Sequence, residues 1–218
     1  MGTRSYHQVC PLAYALDIVG ERWTLLMVRE MAHGPRRFSD LQRSLPGMGA
    51  NLLTDRLRKL EAYGLIQQRQ LPPPAASTVY ELTETGDLLR PVLGALSQFG
   101  LHFMPLPPPD DDTVTPNSLV GILRFRFNVE TAVPQSHRVE LHLDNDVVYA
   151  IIDQGKVETG YGSITDATLV LKGKSRVLFR LFLHEISPET AVTNQTITIT
   201  QGNLAELEAF WNCFGSSA

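Results

Sequence analysis

Phe38-Ser39-Asp40-Leu41-Gln42-Arg43-Ser44-Leu45, then Pro46-Gly47-Met48-Gly49, then Ala50 onward to Tyr63 and Gly64, is the stretch that decides the fold. The first eight residues predict a short amphipathic helix with Phe38, Leu41 and Leu45 on one face. Pro46-Gly47-Met48-Gly49 breaks it. Ala50 to Tyr63 predicts a longer helix, ended by Gly64 where a left-handed cap is favoured. Leu65 to Leu71 and Thr78 to Leu82 are strand-like runs around a tip at Pro72-Pro73-Pro74-Ala75-Ala76-Ser77. Helix, turn, helix and hairpin in that order make a winged helix-turn-helix. Such a unit usually sets its second helix in the major groove of double-stranded DNA.

Working outward, Leu12, Ala13, Leu16 and Val19 predict a helix from Pro11 to Val19, and Trp23, Leu26, Met27 and Met31 a second from about Arg22 to Ala32. Thr83 is read as the N-cap of a helix carrying Leu88, Leu89, Val92, Leu93, Leu96 and Phe99, interrupted at Pro91. The run Pro107-Pro108-Pro109 and the three aspartates of 106–116 predict an extended, solvated linker between a domain at 1–105 and another at 117–218. Past it the periodicity changes. Leu123 to Val129 alternates like a half-buried strand, as does the segment of Val139, Leu141 and Leu143. Asp144-Asn145-Asp146 reads as a turn, and Val147 to Ile152, fully apolar, as a central strand. Strands at Lys156 to Gly162, Ala167 to Leu171 and around Ile197 and Ile199 follow, with helices at Ser175 to His184, from Ser187, and at Leu204 to Phe214. The fold class expected is α+β, with a mainly antiparallel second half.

Charge divides with the organisation. Residues 1–105 hold 11 Lys and Arg against 9 Asp and Glu, and residues 106–218 hold 8 against 14. A nucleic-acid contact therefore belongs to the first half. With Leu53 at zero and roughly 100° per residue, Leu57 and Leu60 share its side. Asn51, Asp55 and Arg58 face away, flanked by Thr54 and Lys59. Asn suits adenine and Arg suits guanine, while Asp55 is read as orienting Arg58 or accepting from cytosine. Arg36, Arg37 and Arg43 suit phosphates, and Ser39 sits at a helix start where amides hold a phosphate.

Cys10-Pro11, Ile18-Val19-Gly20, Arg22-Trp23-Thr24-Leu25-Leu26, Gly34-Pro35-Arg36-Arg37-Phe38, Leu52 to Leu57 and Leu60 to Ile66 together resemble the HxlR family of bacterial winged-helix regulators. The likeness covers about residues 7–100. It implies a cytoplasmic transcriptional regulator, a homodimer joined largely by terminal helices of the DNA-binding domain, and inverted-repeat operators. Gly49-Ala50-Asn51 stands where the family often has Ser-Pro-Lys, and the hairpin tip lacks the family's frequent Arg. Cys10 occupies the place where some relatives sense oxidants or electrophiles. A small buried apolar residue is the alternative reading.

Ala167 to Leu171, the helix after it, Ser187-Pro188-Glu189-Thr190-Ala191 and Thr196 to Leu204 resemble the sterol carrier protein type 2 fold, over about residues 117–215. His184-Glu185 replaces its frequent glycine and Asn203 a frequent Asp. That fold implies a small sheet and helices around an apolar tunnel for lipids or fatty-acyl groups. Phe125, Phe127, Leu141, Leu143, Phe179, Phe182, Phe210 and Trp211 are the candidate walls. An ordinary filled core is the competing reading. Arg124, Arg126, Arg138 and Lys172 are read either as carboxylate partners at a tunnel mouth or as a solvated face.

The six histidines show no metal-ligand spacing, and no nucleophile or phosphate-loop motif occurs, so no metal, cofactor or catalysis is expected. No apolar run approaches the ~20 residues of a membrane span, and two cysteines make no disulfide framework. The rival function is a lipid carrier whose winged helix is a protein-interaction module.

Overall fold

A computed structural model describes residues 5–73, 76–105, 107–144 and 146–215. Pro74 and Ala75 of the hairpin tip, Leu106 of the linker and Asn145 of the expected turn lie outside the described residues. The chain falls into two compact units, divided after Met104. The fold is α+β: a winged helix-turn-helix, then a sheet with helices.

The first unit runs α1 (Pro11–Val19), α2 (Thr24–Met31), α3 (Phe38–Ser44), α4 (Ala50–Ala62), β1 (Ile66–Gln70), β2 (Thr78–Leu82), α5 (Glu84–Asp87) and α6 (Leu89–Leu101). Pro11 occupies the first turn of α1, where a missing N–H costs nothing. α4 ends at Gly64, whose φ of +68° is the left-handed conformation a side chain would resist. Met27, Met31, Leu41, Leu53, Leu60 and Ile66 form a core with almost no exposure. β1 and β2 pair antiparallel, Ile66 opposite Leu82 and Gln70 opposite Thr78. Arg36 adds a single bridge to Tyr80, N to O at 2.9 Å and back at 2.8 Å. Thr83 caps α5, accepting from Gly86 N at 3.2 Å. The interruption before α6 lies at Leu88 rather than at Pro91. The proline ring has no N–H for the Asp87 carbonyl and excludes it sterically, so the break falls one turn earlier.

The second unit runs α7 (Pro116–Arg126), α8 (Val129–Ala132), β3 (His137–Leu143), β4 (Asp146–Asp153), β5 (Lys156–Tyr161), β6 (Leu169–Gly173), α9 (Ser175–Phe182), α10 (Pro188–Thr193), β7 (Ile197–Gln201) and α11 (Leu204–Trp211). The expected strand at Leu123–Val129 is corrected: its first four residues end α7. Thr115 and Ser118 form a reciprocal cap, and Pro116 stands at the first helical position. Leu119, Val120, Ile122 and Leu123 are buried together, a helical spacing that outweighs the local alternation.

The sheet order is β5-β4-β3-β6-β7, with β3 and β6 parallel and the other pairs antiparallel. The central strand is thus β3, not the more apolar β4. Val139, Leu141, Val148, Ala150 and Leu171 line the fully buried face. The strand expected at Lys156 to Gly162 is β5, and the chain turns at Gly162 with φ +93°.

The linker is also corrected. Residues 109–112 form a turn closed by Asp112 N to Pro109 O at 3.1 Å. The Arg176 guanidinium holds the carbonyls of Pro109 at 3.1 Å and Asp110 at 2.9 Å, and also that of Asp112. An arginine fork satisfies several carbonyls at once, so this stretch is docked rather than extended.

Candidate nucleic-acid interface

α4 turns Leu53, Leu57 and Leu60 into the core at 0–3 % exposure. That leaves Asn51, Asp55, Arg58 and Lys59 exposed, with Thr54 half-buried. The side chains of Asn51 and Arg58 make no hydrogen bond or ion pair among the described residues. The Thr54 hydroxyl donates to the Ala50 carbonyl at 2.9 Å, so part of its capacity is spent inside the helix. Asp55 does not orient Arg58. Its Oδ2 takes Arg56 Nη1 at 2.9 Å and Lys59 Nζ at 3.3 Å. Glu21, in the turn after α1, pairs with Arg56 and lies 3.6 Å from Lys59 Nζ. Two carboxylates and two cations therefore close one flank of α4. Arg56 and Glu21 were not among the residues singled out by sequence. The Asp55–Lys59 spacing was visible locally, but nothing local points to Glu21.

Arg37 is exposed at the start of α3, where its backbone N–H donates to Asp40 Oδ2 at 3.2 Å. Ser39 is exposed beside it, and Arg43 pairs with Asp40 at 3.2 Å. Arg36 is placed differently from the other two arginines: it is half-buried and its Nε donates to the Glu30 carbonyl at 3.1 Å. The hairpin's basic residue, Arg69, grips Glu81 through Nε at 2.9–3.0 Å and Nη2 at 2.8 Å. Hydrogen bonds from Arg69, and then from Gln67, hold the Glu81 carboxyl below its ordinary value. Arg69 is thereby committed within the hairpin.

Residues 18–107 match the family described as HxlR-like helix-turn-helix. The HTH-type transcriptional regulator YvaP of Bacillus subtilis is 32 % identical over 98 residues, 44 % of this chain and 91 % of that protein. The chain belongs to the HxlR-like helix-turn-helix family. A second relative, the HTH-type transcriptional regulator sll1512 of Synechocystis, is 36 % identical over 96 residues, covering 44 % of this chain and 71 % of its own length. The reduced form of the regulator YodB from Bacillus subtilis is a similar solved structure, 28 % identical, covering 44 % of this chain and 95 % of that one at a TM-score of 0.39. The first unit is thus a winged helix-turn-helix of the bacterial HxlR regulator type. Beyond residue 107 the second unit lies outside the family match.

In that second unit the expected pocket walls divide. Leu141, Leu143, Phe179, Phe182 and Phe210 are buried. Phe182, Phe210 and Phe214 close on one another edge-to-face at 4.9–5.6 Å, so these rings fill a core. Phe125 is 42 % exposed, while Phe127 and Trp211 are half-buried. An open groove of about 560 Å³ lies elsewhere, between His142, Asp144, Lys172, Lys174 and Thr198. Of the expected walls it includes Leu143 alone. Among the described residues no three His, Cys, Asp or Glu side chains group as a metal site, and no helix is long and apolar enough to cross a membrane.

Proposed function

We propose that this chain regulates transcription in the bacterial cytoplasm by binding an inverted-repeat operator as a homodimer, and that its second unit senses a small apolar or acyl ligand. The observation that carries the DNA reading is the outer face of α4. Asn51 and Arg58 project from a buried leucine row with no internal partner to satisfy them. Such donors suit base edges, while Arg37, Ser39 and Arg43 suit the flanking phosphates.

The dimer reading rests on α6, none of whose residues is buried. Leu88, Val92, Leu96, Phe99 and Phe103 are 43–71 % exposed at helical spacing. Leu12, Tyr14 and Leu16 of α1 are also exposed. A contiguous apolar face of this size marks an interface, and a second copy offers the same face.

The ligand reading is supported by the likeness of residues 117–215 to the sterol carrier fold and by the half-buried aromatics Phe127 and Trp211. To regulate, the ligand must bind the DNA-competent and DNA-incompetent arrangements unequally. The test is selection of duplexes from a fragmented bacterial genome by the purified full chain, with sedimentation of the recovered complex. Enrichment of one inverted repeat, bound by two copies, is expected. No enrichment, together with retained lipid binding, would transfer the case to a lipid carrier.

A further inference from the structure

The groove of about 560 Å³ in the second unit has no part in the DNA contact or in the apolar-ligand site considered above. Most of its lining residues are charged or carry a hydroxyl. Strand register builds it. His142 of β3 stands opposite Lys172 of the parallel β6, and Lys172 opposite Thr198 of the antiparallel β7. Side chains alternate along a strand, so these three share one face of the sheet. The buried row of Val139, Leu141 and Leu171 takes the other face. Lys174, just past the end of β6, adds a second ammonium to the groove.

A buried charge fixes one of these groups. Glu140 is 6 % exposed, and its carboxylate accepts from Ile164 N at 2.8 Å and from His142 Nε2 at 2.7 Å. A carboxylate can only accept, so the hydrogen is on Nε2, and Nδ1 is the nitrogen left for a further partner. Burying a carboxylate is costly unless it is hydrogen-bonded. Here the burial holds an imidazole in one orientation at the groove.

Lys172 and Lys174 are exposed, and neither ammonium has a hydrogen bond or ion pair among the described residues. The groove's two carboxylates are occupied otherwise. Asp144 Oδ2 accepts from Ser175 Oγ at 2.7 Å and Ser175 N at 3.4 Å, at the start of α9, and Asp146 is not free either. Two ammonium groups and an oriented imidazole suit a group with more than one negative charge. Lysine is a compact point charge that serves the tetrahedral oxygens of phosphate, whereas the arginine fork matches a planar carboxylate. Among the described residues no arginine lines the groove. Its volume is that of a small-molecule site rather than of a bare ion. The Asp144 and Asp146 carboxylates and the Thr198 hydroxyl are acceptors for a hydroxylated body.

We propose that this groove binds a phosphorylated sugar or polyol. Lys172, Lys174 and His142, protonated at Nδ1 when the dianion binds, hold the phosphate. Hydroxyls of the body donate to Asp144 and Asp146. The site stands independently of the apolar ligand, since none of these side chains belongs to the aromatic walls invoked for it.

The test is calorimetric titration of the full chain with glucose 6-phosphate, ribose 5-phosphate and glycerol 3-phosphate, set against glucose, glucuronate and inorganic phosphate. It is repeated on Lys172→Gln and Lys174→Gln. At least one of the three esters is expected to bind tenfold more tightly than glucuronate or inorganic phosphate, with no measurable binding of glucose. Each substitution should weaken that ester at least tenfold and, at an exposed position, leave the melting temperature unchanged. Binding of none of the esters would overturn the site. Glucuronate binding as tightly as the best ester would overturn the phosphate, and inorganic phosphate doing so would overturn the hydroxylated body. Full affinity retained by both variants would place the anion outside the groove and overturn the assignment.

Discussion

Glu21 is bonded to Arg56 across 35 positions of chain, tying the turn after α1 to α4. Arg56 keeps only 15 % of its side-chain exposure, and Glu21 also reaches Lys59. The carboxylate holds two cations of α4 away from free solvent, and with Asp55 it lowers the positive charge that DNA meets on this flank. Glu21→Gln is expected to raise affinity for non-operator duplexes and to steepen the dependence of log K on log salt by about one. Glu21 is about half exposed and water screens the pair from its side, so the substitution should cost about 1 kcal/mol of stability or less. Fluorescence anisotropy across a salt series checks it. An unchanged slope would mean that neither cation reaches a phosphate.

Arg58→Ala should cost about 1–3 kcal/mol of operator binding and relax one operator position, as loss of a base contact does. Arg37→Ala should weaken all sequences alike and flatten the salt dependence. Parallel selections on random duplexes separate the two. Unaltered operator choice after Arg58→Ala would show that the reading face is misassigned.

Substituting Phe99→Asp on α6 places a charge where the proposed second copy packs. Because Phe99 is 63 % exposed in the single chain, the fold should be retained. Analytical ultracentrifugation should find a monomer, and binding to the full inverted repeat should fall far more than binding to a half-site. A Phe99→Asp dimer would remove α6 from the interface.

Glu140 is 6 % exposed on β3, where it takes His142 Nε2 at 2.7 Å and Ile164 N at 2.8 Å. Burial works to raise its carboxyl, but hydrogen bonds from His142, Ile164 and Ser163 together outweigh it, and the net shift is down. A depressed folded-state value means stabilisation present above the ordinary value of 4.5 and lost as pH falls through the lower folded value. Glu140→Gln should therefore unfold at lower urea than the parent at pH 7, with the gap closing as pH falls below the ordinary value of 4.5 and through the lower folded one. A gap that persists undiminished at acid pH would assign the loss to packing rather than charge.

The two cysteines should differ in reactivity. Cys213 is fully buried, its Sγ donates to the Ala209 carbonyl at 3.5 Å, and burial pushes its thiol up to about 11. Cys10 is half-exposed ahead of Pro11. Iodoacetamide at pH 8 should label native protein at Cys10 and spare Cys213, since the thiolate is the nucleophile. If Cys10 also senses oxidants, Cys10→Ser should abolish any effect of peroxide or quinone on DNA binding. Mass spectrometry reads the first outcome and anisotropy the second.

What was legible in the sequence was what neighbours in the chain decide. The leucine row of α4, Gly64 at its end, the Thr83 and Ser187 caps and the β1–β2 hairpin all follow from spacing within one or two turns. The family resemblance rested on the same local runs. Where local signals conflicted, only the folded chain chose. Leu123-Arg124-Phe125-Arg126 alternates like a strand, yet a cap at Thr115 and a buried row from Leu119 to Leu123 make it the end of α7. β3 rather than β4 became central because β6 returns parallel along it, a long-range pairing that composition does not encode. The same holds for the sites. The exposed face of α4 could be drawn on a helical wheel. The pairing of Glu21 with Arg56, the docking of the linker on Arg176 and the meeting of His142 with Lys172 and Thr198 each depend on residues tens of positions apart. A sequence states which charges exist. Distance in space decides which of them cancel, because Coulomb attraction and hydrogen bonding act over a few ångströms regardless of separation along the chain.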